Sequence, residues 1–325
     1  MLSFSDCHTI IEDQIKLLDV KDKKPVELYA PISYILGLGG KRIRPVTALM
    51  ACNLFTDDVA PAVGPALAIE VFHNFTLVHD DIMDNASMRR NKPTVHAKWN
   101  DNIAILSGDA MQVYAYQLLS RCNSNLLKPL MDVFNATALE VCEGQQLDMN
   151  FASLNQVSLQ NYLYMIELKT SVLLAASLKV GAICGKAPED EAQKLYEFGL
   201  NLGLAFQIQD DYLDVYGDQD LFGKKVGGDI AENKKTFLLV KAIELAEGDD
   251  AKTLQKALSN KITNIFEKIE TVRSLYDNLN IPQVACDTIA DYSHKAFECL
   301  ESVNVDRDKK VQLSDLAKSL MSREK

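Results

Sequence analysis

Apolar residues recur at spacings of three and four along most of this chain. The pattern starts at residues of about 5–20, where the apolar positions include Ile10, Ile11, Ile15, Leu17 and Leu18. Such spacing places apolar side chains on one face of an α-helix. Further helices are predicted at about 26–36, 61–84, 101–121, 125–150, 157–185 and 190–216, and the helical pattern continues from about 250 to the end.

The chain offers no comparable signal for β-structure or for a domain boundary. No stretch alternates with a period of two over a convincing length, and no low-complexity linker divides the sequence. We therefore predict an all-α protein in which residues 1–325 form a single domain, a bundle of about a dozen helices.

Two of the predicted helices carry the same acidic pattern inside an otherwise apolar run. The first acidic set is Asp80, Asp81 and Asp84, and the second acidic set is Asp210, Asp211 and Asp214. Positions four apart lie on one helix face, so the outer aspartates of each set project together. Mg²⁺ commonly binds one or two carboxylates together with substrate phosphates. One such set could be a solvated acidic face, but two sets flanked by apolar residues favour a paired metal site.

Basic residues are concentrated close to these acidic sets, although the formal net charge is −11. That charge argues against nucleic-acid binding. Lys41, Arg42 and Arg44 lie at the start of a predicted helix, where free N–H groups and cations favour phosphate binding. Arg89 and Arg90 follow the first acidic set and could either pair with its carboxylates or bind phosphate oxygens through their guanidinium groups.

Three further features are read together with the acidic sets. Lys169 lies in an apolar helix, where it needs an anionic partner, and a phosphate would serve. His73 is either a satisfied core group or faces a ligand, since it precedes Asp80 by two turns on one face. The loop Gly217–Gly228 follows the second acidic set directly, which favours a phosphate lid over a merely solvated loop.

Cysteine usage and hydropathy indicate the cellular setting. The seven cysteines are scattered, without a Cys-x-x-Cys pair, which argues against a disulfide framework or a zinc site and favours a reducing compartment. No apolar run reaches about 18 residues, and the acidic, amphipathic N-terminus differs from a signal peptide. We expect a cytoplasmic protein without a transmembrane segment.

Taken in chain order, these motifs resemble those of the trans-isoprenyl (polyprenyl) diphosphate synthases, the family that contains the farnesyl and geranylgeranyl diphosphate synthases. The matching segments are Gly39-Gly40-Lys41-Arg42-Ile43-Arg44-Pro45, the first acidic set with Arg89-Arg90, Lys169-Thr170, Phe206-Gln207 with the second acidic set, and the loop from Gly223-Lys224 to Lys234. The sequence departs from the family pattern at Asn91, where a glycine often follows the arginines. It also has adjacent lysines at 224 and 225, either of which could be the loop lysine.

The resemblance implies an isoprenoid synthase fold with helices around a central cavity, and a prenyl transfer reaction. Isopentenyl diphosphate would be joined head to tail (1′-4) to an allylic diphosphate, giving an all-trans prenyl diphosphate of fifteen to twenty carbons and pyrophosphate. It also implies about three Mg²⁺ ions, with Mn²⁺ as a possible substitute. The metal ligands would be Asp80, Asp84 and Asp210, with Asp81, Asp211 and Asp214 in support. A homodimer, packed through helices about the first motif, follows from the same resemblance.

The family pattern also assigns roles to the remaining residues. The catalytic residues would be Asp80, Asp84, Lys169 and Asp210. The allylic diphosphate would be bound by Arg89, Lys169, Thr170, Gln207, Lys224 and Lys234. The isopentenyl diphosphate site is metal-free and would consist of Lys41, Arg44, His73 and Arg90.

Product length is expected to depend on side chains beneath the first acidic set. Phe75 and Thr76 lie five and four residues before Asp80. In the family, a bulky residue at the fifth position tends to stop growth early, so Phe75 predicts fifteen to twenty carbons. Thr76 leaves more room than a second aromatic residue would, which favours twenty. Met111, Tyr114 and residues of a partner subunit could also form the floor.

Other functions are compatible with parts of the pattern. A longer-chain polyprenyl diphosphate synthase would share every motif. A class I terpene cyclase also ionises allylic diphosphates, but its second metal motif normally contains Asn, Ser or Thr, and Glu. A non-catalytic partner subunit would be expected to lose at least one acidic set. A structural cation-binding protein would leave the ordered lysines and arginines unexplained.

Overall fold

The computed structural model describes residues 1–18, 20, 22–217, 227–259, 262 and 264–322. Its α-helices are α1 (Phe4–Lys16), α2 (Val26–Gly37), α3 (Ile43–Phe55), α4 (Ala60–Met83), α5 (Val95–Lys98), α6 (Asp101–Leu119), α7 (Ser124–Ala152), α8 (Leu159–Ile166), α9 (Val172–Cys184), α10 (Glu189–Tyr216), α11 (Gly228–Glu232), α12 (Phe237–Leu245), α13 (Gly248–Leu258), α14 (Ile265–Asn278), α15 (Ile281–Ser302) and α16 (Arg307–Met321). A π-helix (Glu167–Ser171) joins α8 to α9, and the short strands β1 (Met88–Arg89) and β2 (Lys92–Pro93) pair antiparallel.

The all-α prediction is confirmed, and the long helices begin and end close to their predicted bounds. Sixteen α-helices are present in the described ranges, more than the predicted dozen. Helices α5 and α11 have only four and five residues, so they are too short to produce a periodic pattern. The helix predicted at 157–185 is interrupted by the π-helix at the point where Lys169 and Thr170 interrupt the apolar run.

The chain divides into two compact units, each built from separate segments of sequence. Unit 1 comprises Met1–Asn135, Ala176–Tyr196 and Val303–Leu313, and unit 2 comprises Ala136–Ala175, Glu197–Ser302 and Ser314–Lys325. The first acidic set belongs to unit 1 and the second acidic set to unit 2. Within the described ranges, no helix is both long enough and apolar enough to cross a bilayer.

Unit 1 is organised on α4, which packs against α3 and α6. The helix is apolar on nearly all sides, as expected of a central buried helix. Its aromatic residues continue into a larger cluster, because the ring of Phe72 lies 5.5 Å from Phe75 and 5.3 Å from Phe134 between centroids. The end of α4 that carries the first acidic set is therefore supported by a rigid core.

Unit 2 contains two apolar clusters that hold α10 in place. One cluster includes Tyr162, Ile208 and Phe237, which join α8, α10 and α12. The other includes Val215 and Tyr276, which join the end of α10 to α14. The second acidic set lies between these contacts along α10, so packing holds the helix both before and after the set.

Candidate active site

The first acidic set lies at the C-terminal end of α4, where its three members have different environments. The side chain of Asp81 is 1% exposed, that of Asp80 is 22% exposed, and Asp84 is the exposed C-terminal cap of the helix. Burial raises the pKa of Asp81, and hydrogen bonds from Arg89 oppose this rise. The helix thus turns its middle aspartate inward and its outer aspartates toward solvent.

Arg89 is the cationic partner of the buried aspartate. Its Nε lies 2.9 Å from both carboxylate oxygens of Asp81, and its Nη2 donates to Oδ1 at 2.7 Å. Nη2 is also 4.0 Å from Oδ2 of Asp80. Of the two alternatives for Arg89, pairing with the first acidic set is realised in this structure. The contact with Asp80 keeps the Arg89 guanidinium beside an outer aspartate, where the predicted site would hold a diphosphate.

A hairpin after the first acidic set positions the two arginines. Arg89 is in β1, while Arg90 and Asn91 form the turn with φ of 52° and 58°. The strand that follows is anchored because the hydroxyl of Tyr34 donates to the carbonyl of Pro93 at 2.8 Å. Asn is among the residues that most readily adopt this left-handed conformation. Asn91 therefore serves the turn in which the family often has glycine.

Arg90 is directed to the glycine turn before α3. Its Nη1 donates to the carbonyl of Gly39, and a Cβ on Gly40 would lie 2.9 Å from the Arg90 guanidinium carbon. Gly40 has φ of 137°, a conformation that side chains disfavour. Glycine is thus required at position 40 both for the backbone conformation and for the approach of the guanidinium. Arg90 therefore lies near Lys41, the exposed residue that follows Gly40.

Arg44 and His73 are in direct contact. Nη1 of Arg44 donates to Nε2 of His73 at 3.1 Å, which requires Nε2 to be unprotonated. Burial lowers the pKa of His73 well below its usual value, and the charge of Arg44 lowers it further. Nε of Arg44 is buried and has no hydrogen-bond partner among the described residues. A buried cationic donor of this kind favours an anionic ligand. The charge of Arg90 also lowers the pKa of His73. An electropositive region therefore contains three of the residues predicted to bind isopentenyl diphosphate: Arg44, His73 and Arg90.

Arg42 has a different role from its cationic neighbours. It is 4% exposed, and it donates to Glu12, to Glu70 and to the carbonyl of Leu36 at 2.7, 2.7 and 2.6 Å. Its backbone is left-handed, with φ of 48° at the N-cap of α3. This network fixes the turn between Lys41 and Arg44 to α1 and α4. The residue patterns alone did not identify Arg42 as internally neutralised.

The residues expected to control product length are part of the α4 core. Phe75 is 7% exposed, and its ring packs 4.8 Å from that of His79. The hydroxyl of Thr76 donates to the carbonyl of His73 at 2.8 Å, so it is satisfied within α4. Met111 and Tyr114, the alternative floor residues, are buried in α6, which packs on α4.

In unit 2, Lys169 lies in the π-helix and has an anionic partner. Its Nζ donates to Oδ2 of Asp148 in α7 at 2.5 Å. The apolar surroundings of Lys169 in the sequence predict an anionic partner but do not identify Asp148. The available signal was the polar interruption that ends in Asp148 within α7. Thr170, the next residue, donates to Oε1 of Gln207 at 3.1 Å, so the π-helix is also joined to α10.

Two glycines allow neighbouring helices to approach the π-helix. A Cβ on Gly144 of α7 would lie 2.3 Å from the backbone nitrogen of Lys169. A Cβ on Gly203 of α10 would lie 2.7 Å from Cα of Ser171. The amide of Val172 bonds to the carbonyl of Glu167, an i→i+5 bond that defines the wide turn. The backbone that carries Lys169 and Thr170 is therefore held on two sides by direct helix contacts.

The second acidic set repeats the arrangement of the first, with a buried middle member. Asp211 is 5% exposed and accepts hydrogen bonds from the Tyr162 hydroxyl, from Phe237 N–H at 2.8 Å and from Gln207 Nε2 at 3.2 Å. Burial raises the pKa of Asp211 to about 7, against the opposing effect of the first two bonds. Asp210 and Asp214 are half-buried.

The segment after the second acidic set returns to it through α11. Asp229 N–H donates to Oδ2 of Asp214 at 3.0 Å, and Nζ of Lys234 lies 3.7 Å from the Asp229 carboxylate. The structure thus brings the half-exposed Lys234 into the neighbourhood of Asp214. Lys224 and its alternative Lys225 lie outside the described residues.

The donor chemistry of the acidic sets suits a hard divalent cation. Among the described residues, no group of three His, Cys, Asp or Glu side chains could hold a metal ion alone. Mg²⁺ that acts on phosphates needs only one or two carboxylates, because water and phosphate oxygens complete its shell. The outer aspartates of each set, which lie one turn apart on a helix, meet that requirement.

Comparison with known proteins identifies the group to which these features belong. The sequence matches the model of the Polyprenyl synthetase family over residues 25–279. It is 38% identical over 314 residues to the short chain isoprenyl diphosphate synthase of Methanocaldococcus jannaschii, covering 96% of this chain and 93% of that protein. A crystal structure of a geranylgeranyl pyrophosphate synthase superposes with a TM-score of 0.94 at 44% identity, covering 100% of both chains. The geranylgeranyl pyrophosphate synthetase from Pyrococcus horikoshii Ot3 gives 0.92 at 34% identity, covering 99% of this chain and 98% of that one. Matches that extend over nearly the whole chain in both sequence and fold place this protein in the polyprenyl synthetase family.

Proposed function

We propose that this protein is a trans-prenyltransferase that makes a short-chain prenyl diphosphate. Isopentenyl diphosphate is joined head to tail to an allylic diphosphate, and pyrophosphate and a proton are released. The observation that carries this proposal is the 38% identity over 96% of the chain to a short chain isoprenyl diphosphate synthase. The geranylgeranyl synthases among the structural relatives support a product of fifteen to twenty carbons.

The outer aspartates are the metal ligands in this proposal. Asp80, Asp84 and Asp210 bind about three Mg²⁺ ions together with the allylic diphosphate, and Mn²⁺ can substitute. When bound, the ions act as Lewis acids that stabilise the negative charge of the departing pyrophosphate. Asp81 and Asp211 act in support, because their carboxylates accept hydrogen bonds from the protein side chains Arg89 and Tyr162. Asp214 acts in support through its bond to α11.

The allylic diphosphate is bound by cations around the two acidic sets. Arg89 is held beside Asp80 by its bonds to Asp81, which orients its guanidinium. Lys169 is held by its ion pair with Asp148, which positions its ammonium group. The other proposed contacts are Thr170, Gln207, Lys224 and Lys234.

Isopentenyl diphosphate binds in the metal-free basic region of unit 1. Arg44 supplies the buried Nε donor that has no partner among the described residues. Nε2 of His73 accepts from Arg44, so the ring proton of the neutral imidazole is on Nδ1, which can donate to a phosphate oxygen. Lys41 and Arg90 complete the site from the glycine turn and the hairpin.

The carbon–carbon bond forms when the double bond of isopentenyl diphosphate attacks C1 of the allylic group. The C1–O bond breaks, pyrophosphate leaves with the bonding electrons, and a proton is lost to form the new double bond. We assign no side chain as the base, and the released pyrophosphate can accept this proton. Product length is limited by Phe75 in the core of α4, and the alternative is a longer product if this ring is not the floor.

We also propose that the protein is a homodimer that associates through helices about the first motif. Helix α6 packs on α4 and exposes Ile105, Leu106 and Val113, with 44%, 59% and 58% of their surface accessible. Three exposed apolar side chains on one helix favour a protein interface. Light scattering should give about twice the chain mass of 36.2 kDa, and Leu106→Glu should reduce it.

The activity is tested with pure protein, Mg²⁺, labelled isopentenyl diphosphate and either geranyl or farnesyl diphosphate. Products are separated by chromatography after phosphatase treatment. A ladder that ends at fifteen or twenty carbons supports the proposal, and EDTA should abolish it until Mg²⁺ or Mn²⁺ is restored. Products well beyond twenty carbons would retain the reaction and reject Phe75 as the floor. No incorporation by folded protein would favour a terpene cyclase or a non-catalytic partner subunit.

A further inference from the structure

The carboxylate of Asp211 is a junction of three segments in unit 2. Its Oδ2 accepts from the hydroxyl of Tyr162 in α8 and from the backbone N–H of Phe237 at the start of α12. Its Oδ1 accepts from Nε2 of Gln207, one turn earlier in α10. A buried carboxylate is tolerated when donors satisfy it, and all three donors here belong to the protein.

Each of these segments carries a residue proposed to bind the allylic diphosphate. Helix α8 continues directly into the π-helix with Lys169 and Thr170. Thr170 also reaches the junction through Gln207, to which its hydroxyl donates. Phe237 follows Lys234 by three residues, and Thr236 caps α12 by accepting from Leu239 N–H. The positions of these residues therefore depend on one buried carboxylate.

Tyr162 contributes a side-chain donor to this junction and has no other assigned role. It is 1% exposed, and its ring packs edge-to-face on Phe237 at 6.3 Å between centroids. A tyrosine buried this deeply normally has a hydrogen-bond partner for its hydroxyl, and Asp211 is that partner. Burial raises the pKa of Tyr162 well above its usual value, so the hydroxyl remains a donor.

We propose that Tyr162 is a positioning residue for the second acidic set. By holding Asp211, it fixes the rotation of α10 about its axis, and adjacent residues of a helix differ by about 100° in direction. Asp210 is thereby directed to the metal and diphosphate while Tyr162 itself does not contact the substrate. This inference rests on the proposed function, since it concerns the residues that bind the allylic diphosphate and its metal ions.

The test compares full-length Tyr162→Phe with a matched control. Tyr116→Phe removes the same oxygen from a tyrosine of unit 1 whose hydroxyl donates to Oδ1 of Asn135 at 2.9 Å and whose ring packs edge-to-face on Phe134. Initial rates are measured against Mg²⁺, allylic diphosphate and isopentenyl diphosphate, and thermal unfolding is recorded for each variant. Loss of a residue that orients a metal ligand typically lowers affinity or activity by about 10–100-fold.

For Tyr162→Phe we expect the Mg²⁺ concentration at half-maximal rate to rise about tenfold or more. The KM for isopentenyl diphosphate should stay within about twofold, because that substrate binds without metal. Tyr116→Phe should leave both values unchanged. A purely structural role for Tyr162 would lower the unfolding temperature without moving the Mg²⁺ dependence.

A second variant tests the same junction from another side. Thr236→Ala removes the cap of α12 and loosens the Phe237 N–H that bonds to Asp211. We expect a smaller shift of the Mg²⁺ dependence in the same direction. Wild-type Mg²⁺ dependence in both variants would overturn the proposal while the proposed function stands. An inactive wild-type protein would instead reject the proposed function, before any variant is compared.

Discussion

The close approach of α7 to the π-helix makes Gly144 a sensitive position. In Gly144→Ala, the new Cβ would lie 2.3 Å from the backbone nitrogen of Lys169 and 2.7 Å from its Cα. Optimal contacts between non-bonded heavy atoms are about 3.5–4.0 Å. The two backbones must therefore separate by about 1 Å, since no flexible side chain is available to move instead.

This displacement should lower both the free energy of unfolding and kcat. Overpacking typically costs about 1–3 kcal/mol, and the higher helix propensity of alanine returns about 1 kcal/mol. We therefore expect the free energy of unfolding to fall by up to about 2 kcal/mol. A misplacement of about 1 Å in a group that positions substrate can lower the rate about 100-fold. The effect on kcat should thus exceed the effect on stability.

The assay measures kcat by incorporation of labelled isopentenyl diphosphate, and stability by urea denaturation. Gly64→Ala is the matched control, because its Cβ in α4 would lie 3.6 Å from the carbonyl oxygen of Leu118, an ordinary contact. That variant should keep wild-type kcat and gain up to about 1 kcal/mol of stability. If Gly144→Ala retains wild-type kcat, the position of Lys169 does not depend on this contact and the reasoning is refuted.

Three other results are expected. Arg42→Met leaves Glu12 and Glu70 without their buried cation and should cost about 3–5 kcal/mol in urea denaturation. The exposed pair of Lys16 and Asp13 provides its control, since Lys16→Met should cost less than about 1 kcal/mol, and equal losses would contradict the role of burial. The low pKa of His73 means that the unfolded chain binds a proton below about pH 6.5 that the folded chain does not. The contribution of His73 to the free energy of unfolding should therefore fall as the pH drops below 6.5, by up to about 1.4 kcal/mol per pH unit. Denaturation at pH 7.5 and pH 5.5 should accordingly show a smaller difference in stability for His73→Asn than for the wild-type protein. Finally, Phe75→Ala should lengthen the product in the chromatographic assay, and an unchanged product would exclude Phe75 as the floor.

Helix positions and the two acidic sets could be predicted because they depend on local pattern. Apolar spacing identifies a buried helix without knowledge of its neighbours, and α4 and α10 follow their predicted bounds closely. The same pattern could not show the π-helix, because one wide turn is too short to produce a periodicity of its own. It was the polar pair Lys169-Thr170 that coincided with this turn.

The partners of the site residues could not be predicted, since they are distant in sequence. Lys169 pairs with a residue 21 positions earlier, and Tyr162 bonds to Asp211, 49 positions later. Their spacing in the sequence predicts that the aspartates of each set are neighbouring ligands. In the structure the members of each set differ in burial, because adjacent residues on a helix face different directions. Asp81 and Asp211 are buried and accept hydrogen bonds from protein donors.

The internal neutralisation of Arg42 and Arg89 also bears on how quickly anionic substrates arrive. Arg42 is paired with two glutamates and Arg89 with Asp81, so neither adds a full positive charge to the field outside the protein. Arg44 and Arg90 make no ion pair within the described ranges and contribute more strongly to this local field. Electrostatic steering depends on net local charge and is screened by salt. The association rate of isopentenyl diphosphate should therefore depend on ionic strength less steeply than the number of cations in the motifs suggests.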